Sequence, residues 1–271
     1  MLISSNTGLR SYRPGKPRFN LLDTISFMAE AGFEAVDINF CGTVYSKDDW
    51  HDPILDGEWR ENLNKLREHI LKCGLIASHT HLPFRYNYPT DKKYYEDPMM
   101  ERSIEATALI GAPYAVCHPI LDDNGETLVE KTIEIYAPLA EFAKKRGVTL
   151  AMENLFTTTP EQLIEISNSL GCAVCWDVGH AHILGLDQHH SITMLGNRIK
   201  TLHLHDNYGI KDNHNAPYFG NIDWQKIVDA LTEIGYDGTF NYEVIKYNIP
   251  NELYMDHAKY LVKAARLMLG R

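Results

Sequence analysis

The feature that most restricts the fold of this chain is an eightfold alternation of short apolar runs with longer amphipathic segments. The apolar runs begin at Leu2, Ala35, Leu75, Pro113, Val148, Ala173, Ile199 and Thr239. Runs of this length bounded by turn residues read as buried strands, and the segments between them carry helical periodicity. Trp59, Leu63, Leu66, Ile70 and Cys73 recur at steps of four and three, with Gly74 as the stop. Asp97-Pro98 offers a cap followed by proline at the first helical position. Thr159-Pro160-Glu161-Gln162 has the form of a capping box, and Gly171 ends the helix it starts. Asp223 precedes an apolar face of Trp224, Ile227, Val228, Leu231 and Ile234, and a last helix is expected from Asn251 to Leu269.

Strand–helix alternation with short links implies a parallel sheet wrapped by helices, an α/β fold. Eight such units in 271 residues match the size of a (β/α)8 barrel. A doubly wound open sheet is the competing architecture, but the Gly-rich turn it usually carries after its first strand is missing. No linker, low-complexity tract or short repeat interrupts the chain, so residues 1–271 are expected to form one domain. Three connections that follow strands are longer than the fold needs: Cys41 to Glu58, Phe84 to Glu96 and Asp206 to Ile222. In a barrel all three fall on the C-terminal face, where active sites are built. Tyr45 and Trp50 in the first, and Tyr86, Tyr88, Tyr94 and Tyr95 in the second, suit walls or a lid over a polar ligand. Plain solvated loops are the competing reading.

Composition removes several function classes. A formal charge of −10 and a pI near 5.7 argue against a basic surface for nucleic acid or anionic membrane. Five cysteines, odd in number and scattered, do not make a disulfide framework. Cys172 and Cys175 do form C-x-x-C, but within an expected strand, with no helix start to lower a thiol pKa, so core packing is the reading. The opening MLISSNTGLR lacks a charged segment followed by a long apolar one, and no apolar run approaches the ~20 residues that span a bilayer. A soluble, cytoplasmic protein is expected.

The chemistry concentrates where the apolar runs stop. CAVCWDVGHAH, Cys172 to His182, ends a strand in Asp177 and places His180 three residues on. The third strand ends SHTHLPF, with His79 and His81; the fourth ends AVCHP, with His118; the fifth ends LAMENL, with Glu153 and Asn154. The seventh, TLHLHDN, carries His203, His205 and Asp206, the loop after it holds Asp212 and His214, and the eighth ends FNYEV with Glu243. A single histidine or acid at a strand end is usually a structural hydrogen-bonding or ion-pairing residue. Six consecutive strands of a closed barrel ending in such groups are different, because Glu153, Asp177 and Glu243 would repel one another in a poorly hydrated mouth. A divalent cation resolves that repulsion, and mixed carboxylate and imidazole donors suit Mn, Co, Fe or Zn.

With MENL, CWDVGHAH, LHLHDN, the following DNH and YEV in place, the sequence resembles the xylose isomerase-like TIM barrels over essentially its whole length. That superfamily contains sugar and sugar-phosphate isomerases and epimerases as well as endonuclease IV. Resemblance to the ketose 3-epimerase branch implies that Glu153, Asp177, His203 and Glu243 hold one divalent metal. It also implies that Glu153 and Glu243 exchange protons with the substrate carbon on opposite faces of an enediolate, and that His180 contacts substrate. Resemblance to endonuclease IV implies further zinc ligands at His81, His118, His180, Asp212 and His214. The alternative role for those five is binding substrate hydroxyls and orienting the metal's carboxylates. The wording VGHAHILG and ENLFTTTP departs from the repair-enzyme pattern.

The leading expectation is therefore a metal-dependent isomerase or epimerase acting on a small sugar or polyol ketose by proton transfer. No Gly-rich phosphate cradle is visible, which favours a non-phosphorylated substrate. Zinc-dependent phosphodiester hydrolysis of the endonuclease IV type and a non-catalytic sugar-binding barrel are the rivals. The expected cofactor is Mn, Zn or Co, as one ion or more, and the expected partner is a small-molecule sugar rather than nucleic acid or membrane. Homo-oligomerisation is left open.

Overall fold

Eight parallel strands stand in chain order around a nearly closed barrel, in a computed structural model that describes residues 1–10, 20–40, 58–83, 98–245 and 249–271. They are β1 (Leu2–Asn6), β2 (Ala35–Asn39), β3 (Ile76–His81), β4 (Tyr114–Cys117), β5 (Thr149–Glu153), β6 (Ala173–Asp177), β7 (Ile199–His203) and β8 (Thr239–Tyr242). Each pairs with its successor from β1 through β7, and β1 also pairs with β8. The remaining seam is joined just past β7, where Leu204 and Tyr242 form a parallel bridge. Leu204 N donates to Asn241 O at 2.9 Å and Glu243 N to Leu204 O at 3.0 Å. The seam thus sets His203 and Glu243, one at each side of it, at the same end of the barrel.

The described helices are α1 (Leu21–Ala31), α2 (Trp59–Lys72), α3 (Pro98–Ile110), α4 (Val129–Lys144), α5 (Pro160–Leu170), α6 (Val178–Ile183), α7 (Gln188–Leu195), α8 (Trp224–Glu233) and α9 (Tyr254–Met268). Their ends follow the local chemistry. Thr159 and Gln162 make the reciprocal capping box of α5, and Gly171 closes that helix with φ of 62°. Asp223 accepts from Lys226 N to start α8, whose Trp224, Ile227, Val228 and Leu231 are buried. Burial of each such side chain contributes about 1.5–3 kcal/mol. The last helix begins later than its periodicity predicts: Asn251–Leu253 form a 3-10 turn, a common lead-in to an α-helix. The expected cap Asp97 lies outside the described residues. So do most of the Cys41–Glu58 and Phe84–Glu96 connections, with Tyr45, Trp50, Tyr86, Tyr88, Tyr94 and Tyr95.

The main core lies between sheet and helices, and a smaller apolar cluster of Val116, Ala151, Ala173 and Cys175 belongs to β4–β6. Strands alternate faces with period two, so stepping back two residues from His81, His203 and Glu243 reaches His79, Thr201 and Asn241. All three are buried, as are Ser4 and Asp37. The layer beneath the mouth is therefore apolar on one side of the barrel and polar on the other. The four described cysteines are free. Burial pushes the Cys172 thiol up to about 12 and that of Cys175 to about 11, as buried core thiols require. Among the described residues no helix is long and apolar enough to cross a membrane.

Candidate metal centre

Glu153 at the end of β5 is the junction of the mouth. Its Oε2 lies 3.2 Å from His81 Nε2 and 3.2 Å from His118 Nε2, and those two nitrogens are 3.1 Å apart. Its Oε1 lies 3.1 Å from His203 Nδ1, which is 3.3 Å from Glu243 Oε2 and 4.0 Å from Asp177 Oδ2. Further round, His180 Nε2 stands 3.6 Å from Asp212 Oδ2, and His214 Nε2 is 2.8 Å from that same oxygen. The nine site residues expected from the sequence (His81, His118, Glu153, Asp177, His180, His203, Asp212, His214 and Glu243) thus share one continuous cluster. Glu153, Asp177, His203, His81, His118, His180 and Glu243 are buried, and Asp212 and His214 are partly covered.

The local chain explains how the donors are aimed. Asp177 caps α6 by accepting from His180 N at 2.7 Å, which turns His180 back over the strand end. Asn154 straps β5 to β6: its Oδ1 accepts from Asp177 N at 2.7 Å and its Nδ2 donates to Asp177 O at 2.8 Å. Asn6 Nδ2 donates to Glu243 Oε1 at 3.2 Å, leaving Oε2 for the His203 side. Asp206, though a strand-end acid, turns away from the cluster. It accepts from the backbone N of Asn207, Tyr218 and Ile222 and from Trp224 Nε1, and so folds the long connection after β7. That connection carries His214, held at φ 45°, a left-handed conformation that non-glycine residues seldom adopt outside constrained sites.

The histidine tautomers fit metal ligation. His81 Nδ1 is 2.9 Å from Leu82 O, His180 Nδ1 2.8 Å from Asn154 O, and His214 Nδ1 2.7 Å from Glu243 O. A carbonyl can only accept, so each Nδ1 carries the hydrogen, and in the neutral ring each Nε2 presents a lone pair to a carboxylate oxygen. Two lone pairs at such distances need a proton or a cation between them. His203 Nδ1 and Nε2 are both buried without a hydrogen-bond partner, although two carboxylates stand within 3.3 Å of Nδ1. Donors held ~2.1 Å from one tetrahedral ion stand about 3.4 Å from each other. The spacings of 3.1–3.3 Å around Glu153 are of that kind. The residues present fit a divalent ion.

Where no ion balances the charge, protons do so. Burial raises the Glu153 carboxyl, but the imidazoles of His203 and His118 hold it well below the usual range. Burial likewise opposes ionisation of Asp177 and Asp212, and His180 with His205 or His214 outweighs it, so both are lowered. On the imidazole side burial lowers His180 and His214, yet Asp177 and Asp212 raise them to about 10 and about 9. His203 is raised well above its usual value, since Cys175, Glu153 and Glu243 overcome its burial. His118 is lowered by burial and remains a neutral donor. Imidazolium groups thus occupy the electrostatic role that a bound cation would take over, with release of their protons.

Three contributors carry no assigned role from the sequence, although TLHLHDN does place His205 at a strand end. His205 Nε2 is 3.2 Å from both oxygens of Asp177 and its ring stacks on His214 at 4.1 Å. Asp37 on β2 lies behind His203 together with His79. Its only sequence signal is an acid between Val36 and Ile38 in a run otherwise suited to burial. Asn6 gave no signal at all, because an asparagine at a strand end is ordinary.

A barrel of this topology with its donors at the C-terminal end defines a class, and residues 25–264 match the profile of the xylose isomerase-like TIM barrel family. The chain belongs to that family. Along its full length it is similar in fold to a D-tagatose 3-epimerase-like protein, with 21% identity, TM-score 0.75, and 100% and 98% of the two chains covered. A structure of L-ribulose 3-epimerase is alike at 20% identity and TM-score 0.75, covering 99% of this chain and 94% of that one. Among curated sequences, the uncharacterized protein y4fM of Sinorhizobium fredii is 27% identical over 161 residues, 54% of this chain and 51% of its own length. The chain spans about half the length of the curated relatives it matches.

Proposed function

We propose that this protein is a divalent-metal-dependent isomerase or epimerase of a small sugar or polyol ketose. Glu153, Asp177, His203 and Glu243 hold the metal, and His81, His118, His180, Asp212 and His214 surround the substrate. The observation that carries the reading is the pair of glutamate oxygens at 3.1 and 3.3 Å from one histidine nitrogen, brought from strands separated by β6 and β7. Two carboxylates in contact with one metal position can serve the same carbon of a small substrate. The 3-epimerase titles of the structurally similar proteins agree with this choice of chemistry.

The metal, Mn, Zn or Co, supplies Lewis-acid polarisation of the substrate oxygens. The chain's own residues do the rest. Glu153, kept ionised by His203 and His118, takes the proton from the carbon next to the carbonyl, and the C–H electron pair becomes the enediolate double bond. Glu243, its Oε1 held by Asn6 Nδ2, stands to exchange the second proton on the opposite face, and the roles exchange in the reverse direction. His180 and His214, fixed through their Nδ1 atoms, face substrate hydroxyls with Nε2. Phe156, packed edge-on against His180 at 4.5 Å and 41% exposed, offers an apolar wall at the rim.

Metal-loaded protein incubated with a panel of ketoses in deuterium oxide tests the proposal. Deuterium entering one substrate carbon together with a new epimer or isomer is the expected result. A panel that shows neither exchange nor isomerisation overturns it. The second reading, phosphodiester hydrolysis at a multinuclear centre, is favoured by two further donor groups within the cluster, His81–His118–Glu153 and Asp212–His214. It requires more than one ion per chain and cleavage of a bis-aryl phosphate, and that cleavage is absent under the first reading.

A further inference from the structure

Asp37 is an acid placed where an apolar residue would be expected. It sits in the middle of β2, fully buried, between Val36 and Ile38, with neither carboxylate oxygen hydrogen-bonded. Burying such a group unpaired is costly, and the imidazoles of His79 and His203 are the groups that oppose that cost. Its Oδ2 is 3.5 Å from His79 Nε2, and a ring nitrogen of His203 lies within 4.8 Å of both. All three residues are completely buried.

The protons in this triangle can be assigned from the other side. Ser78 Oγ donates its one hydrogen to Val36 O at 3.0 Å. It can therefore only accept at His79 Nδ1, 3.0 Å away, so Nδ1 carries a hydrogen there. In the neutral ring His79 Nε2 is then an acceptor, and it has no partner. Asp37 and His79 thus turn unsatisfied acceptors toward His203. His203 has a matching need: when Nδ1 turns its lone pair to a metal beside Glu153 and Glu243, its hydrogen resides on Nε2, which makes no hydrogen bond, with Cys175 the other group beside the ring.

We propose that Asp37 and His79 are positioning residues that hold the hydrogen of His203 on Nε2, keeping its Nδ1 lone pair aimed at the metal position. The inference rests on the metal site proposed above and extends it one layer down the barrel. Carboxylate or carbonyl acceptors behind a ligating imidazole fix its tautomer and orientation and strengthen it as a donor; their loss typically weakens metal affinity 10–100-fold. The same acid would be a liability in a barrel with no ion above it.

The test compares wild type with Asp37→Ala, Asp37→Asn and His79→Gln. Zn and Co affinities are measured by competition with a chromophoric chelator, and metal-free and metal-loaded melting temperatures are recorded in parallel. Affinity is expected to fall about 10–100-fold in Asp37→Ala and less in Asp37→Asn, which keeps an acceptor oxygen. The metal-loaded melting temperature should fall more than the metal-free one; equal losses in the two states would mark a merely structural residue. Long-range 15N–1H spectra of zinc-loaded protein should show the His203 Nε2–H resonance moving upfield in Asp37→Ala as its acceptor is lost. His79→Gln carries the test if Asp37→Ala is not recovered folded. Wild-type affinity in both Asp37→Asn and His79→Gln, where wild type binds metal tightly, overturns the positioning role alone. Wild type that takes up no metal overturns the site reading and this proposal with it. Metal lost in Asp37→Ala but held at wild-type affinity in Asp177→Asn would put the ion among Asp37, His79 and His203, and also refutes positioning.

Discussion

Gly179 and His205 interlock: a Cβ on Gly179 would fall on Cε1 of the His205 ring, far inside van der Waals contact. His205 in turn touches both oxygens of Asp177. The glycine in WDVGHAH is therefore required by an imidazole delivered from the next strand. Gly179→Ala should force His205 off Asp177, destabilise the protein by about 1–3 kcal/mol as other overpacked cores do, and weaken metal uptake. Thermal melts and metal titration of the variant check this; wild-type values for both would refute the interlock.

Glu153→Gln and Glu243→Gln keep an oxygen able to coordinate but lose the proton acceptor. Both should lose turnover at least a hundredfold, about 2.7 kcal/mol of transition-state stabilisation, within the range of a positioned general base. Deuterium wash-in should vanish with turnover. The Glu153 variant should bind metal more weakly of the two, because Glu153 meets three imidazoles within 3.2 Å. Near-wild-type rates with an authentic ketose in both variants would exclude proton transfer by these residues.

Asp177 and Asp206 end adjacent strands regions yet should respond oppositely to replacement by Asn. Asp177→Asn should abolish most metal binding and lower the melting temperature only of metal-loaded protein, since an ion bound to the native state alone stabilises it. Asp206→Asn places an amide against four donors and should cost about 3–5 kcal/mol with or without metal. Calorimetry of each variant in chelator and in excess metal separates the two. Equal loss in both media for Asp177→Asn would contradict its role as ligand.

Metal-free protein should lose stability as pH rises. His180 and His214 are raised in the folded protein, to about 10 and about 9, above the ordinary histidine value near 6.5. Their contribution is full below that ordinary value, declines above it, and is gone once the folded values have been passed. Melting temperature in chelator should therefore decline between about pH 6.5 and 10, whereas metal-loaded protein, whose ligands have already shed protons, should show a flatter profile. Parallel profiles in the two states would rule out displacement of these protons by metal.

Much of this architecture is legible in the sequence because it is local. Strand and helix alternation, the Thr159 capping box, the Asp223 cap and the Gly171 stop each depend on residues within a few positions of one another. The strand-end acids and histidines are legible for a related reason: in a parallel barrel, the end of an apolar run is already a place in space. His81, His118, Glu153, Asp177, His203 and Glu243 could thus be expected in one mouth before any coordinates.

What only the tertiary structure decided is which strand-end groups face each other and which face away. Asp206 and Asp177 both end apolar runs, yet one folds a loop and the other joins the cluster, because the long connection returns its backbone N–H groups onto Asp206. Asp37 and His203 are 166 positions apart and meet only because β2 and β7 project side chains into the same barrel interior. Period-two alternation tells which residues share a face of one strand. Which of them share a layer across the barrel depends on the stagger and closure of all eight strands, and no local stretch of sequence encodes that.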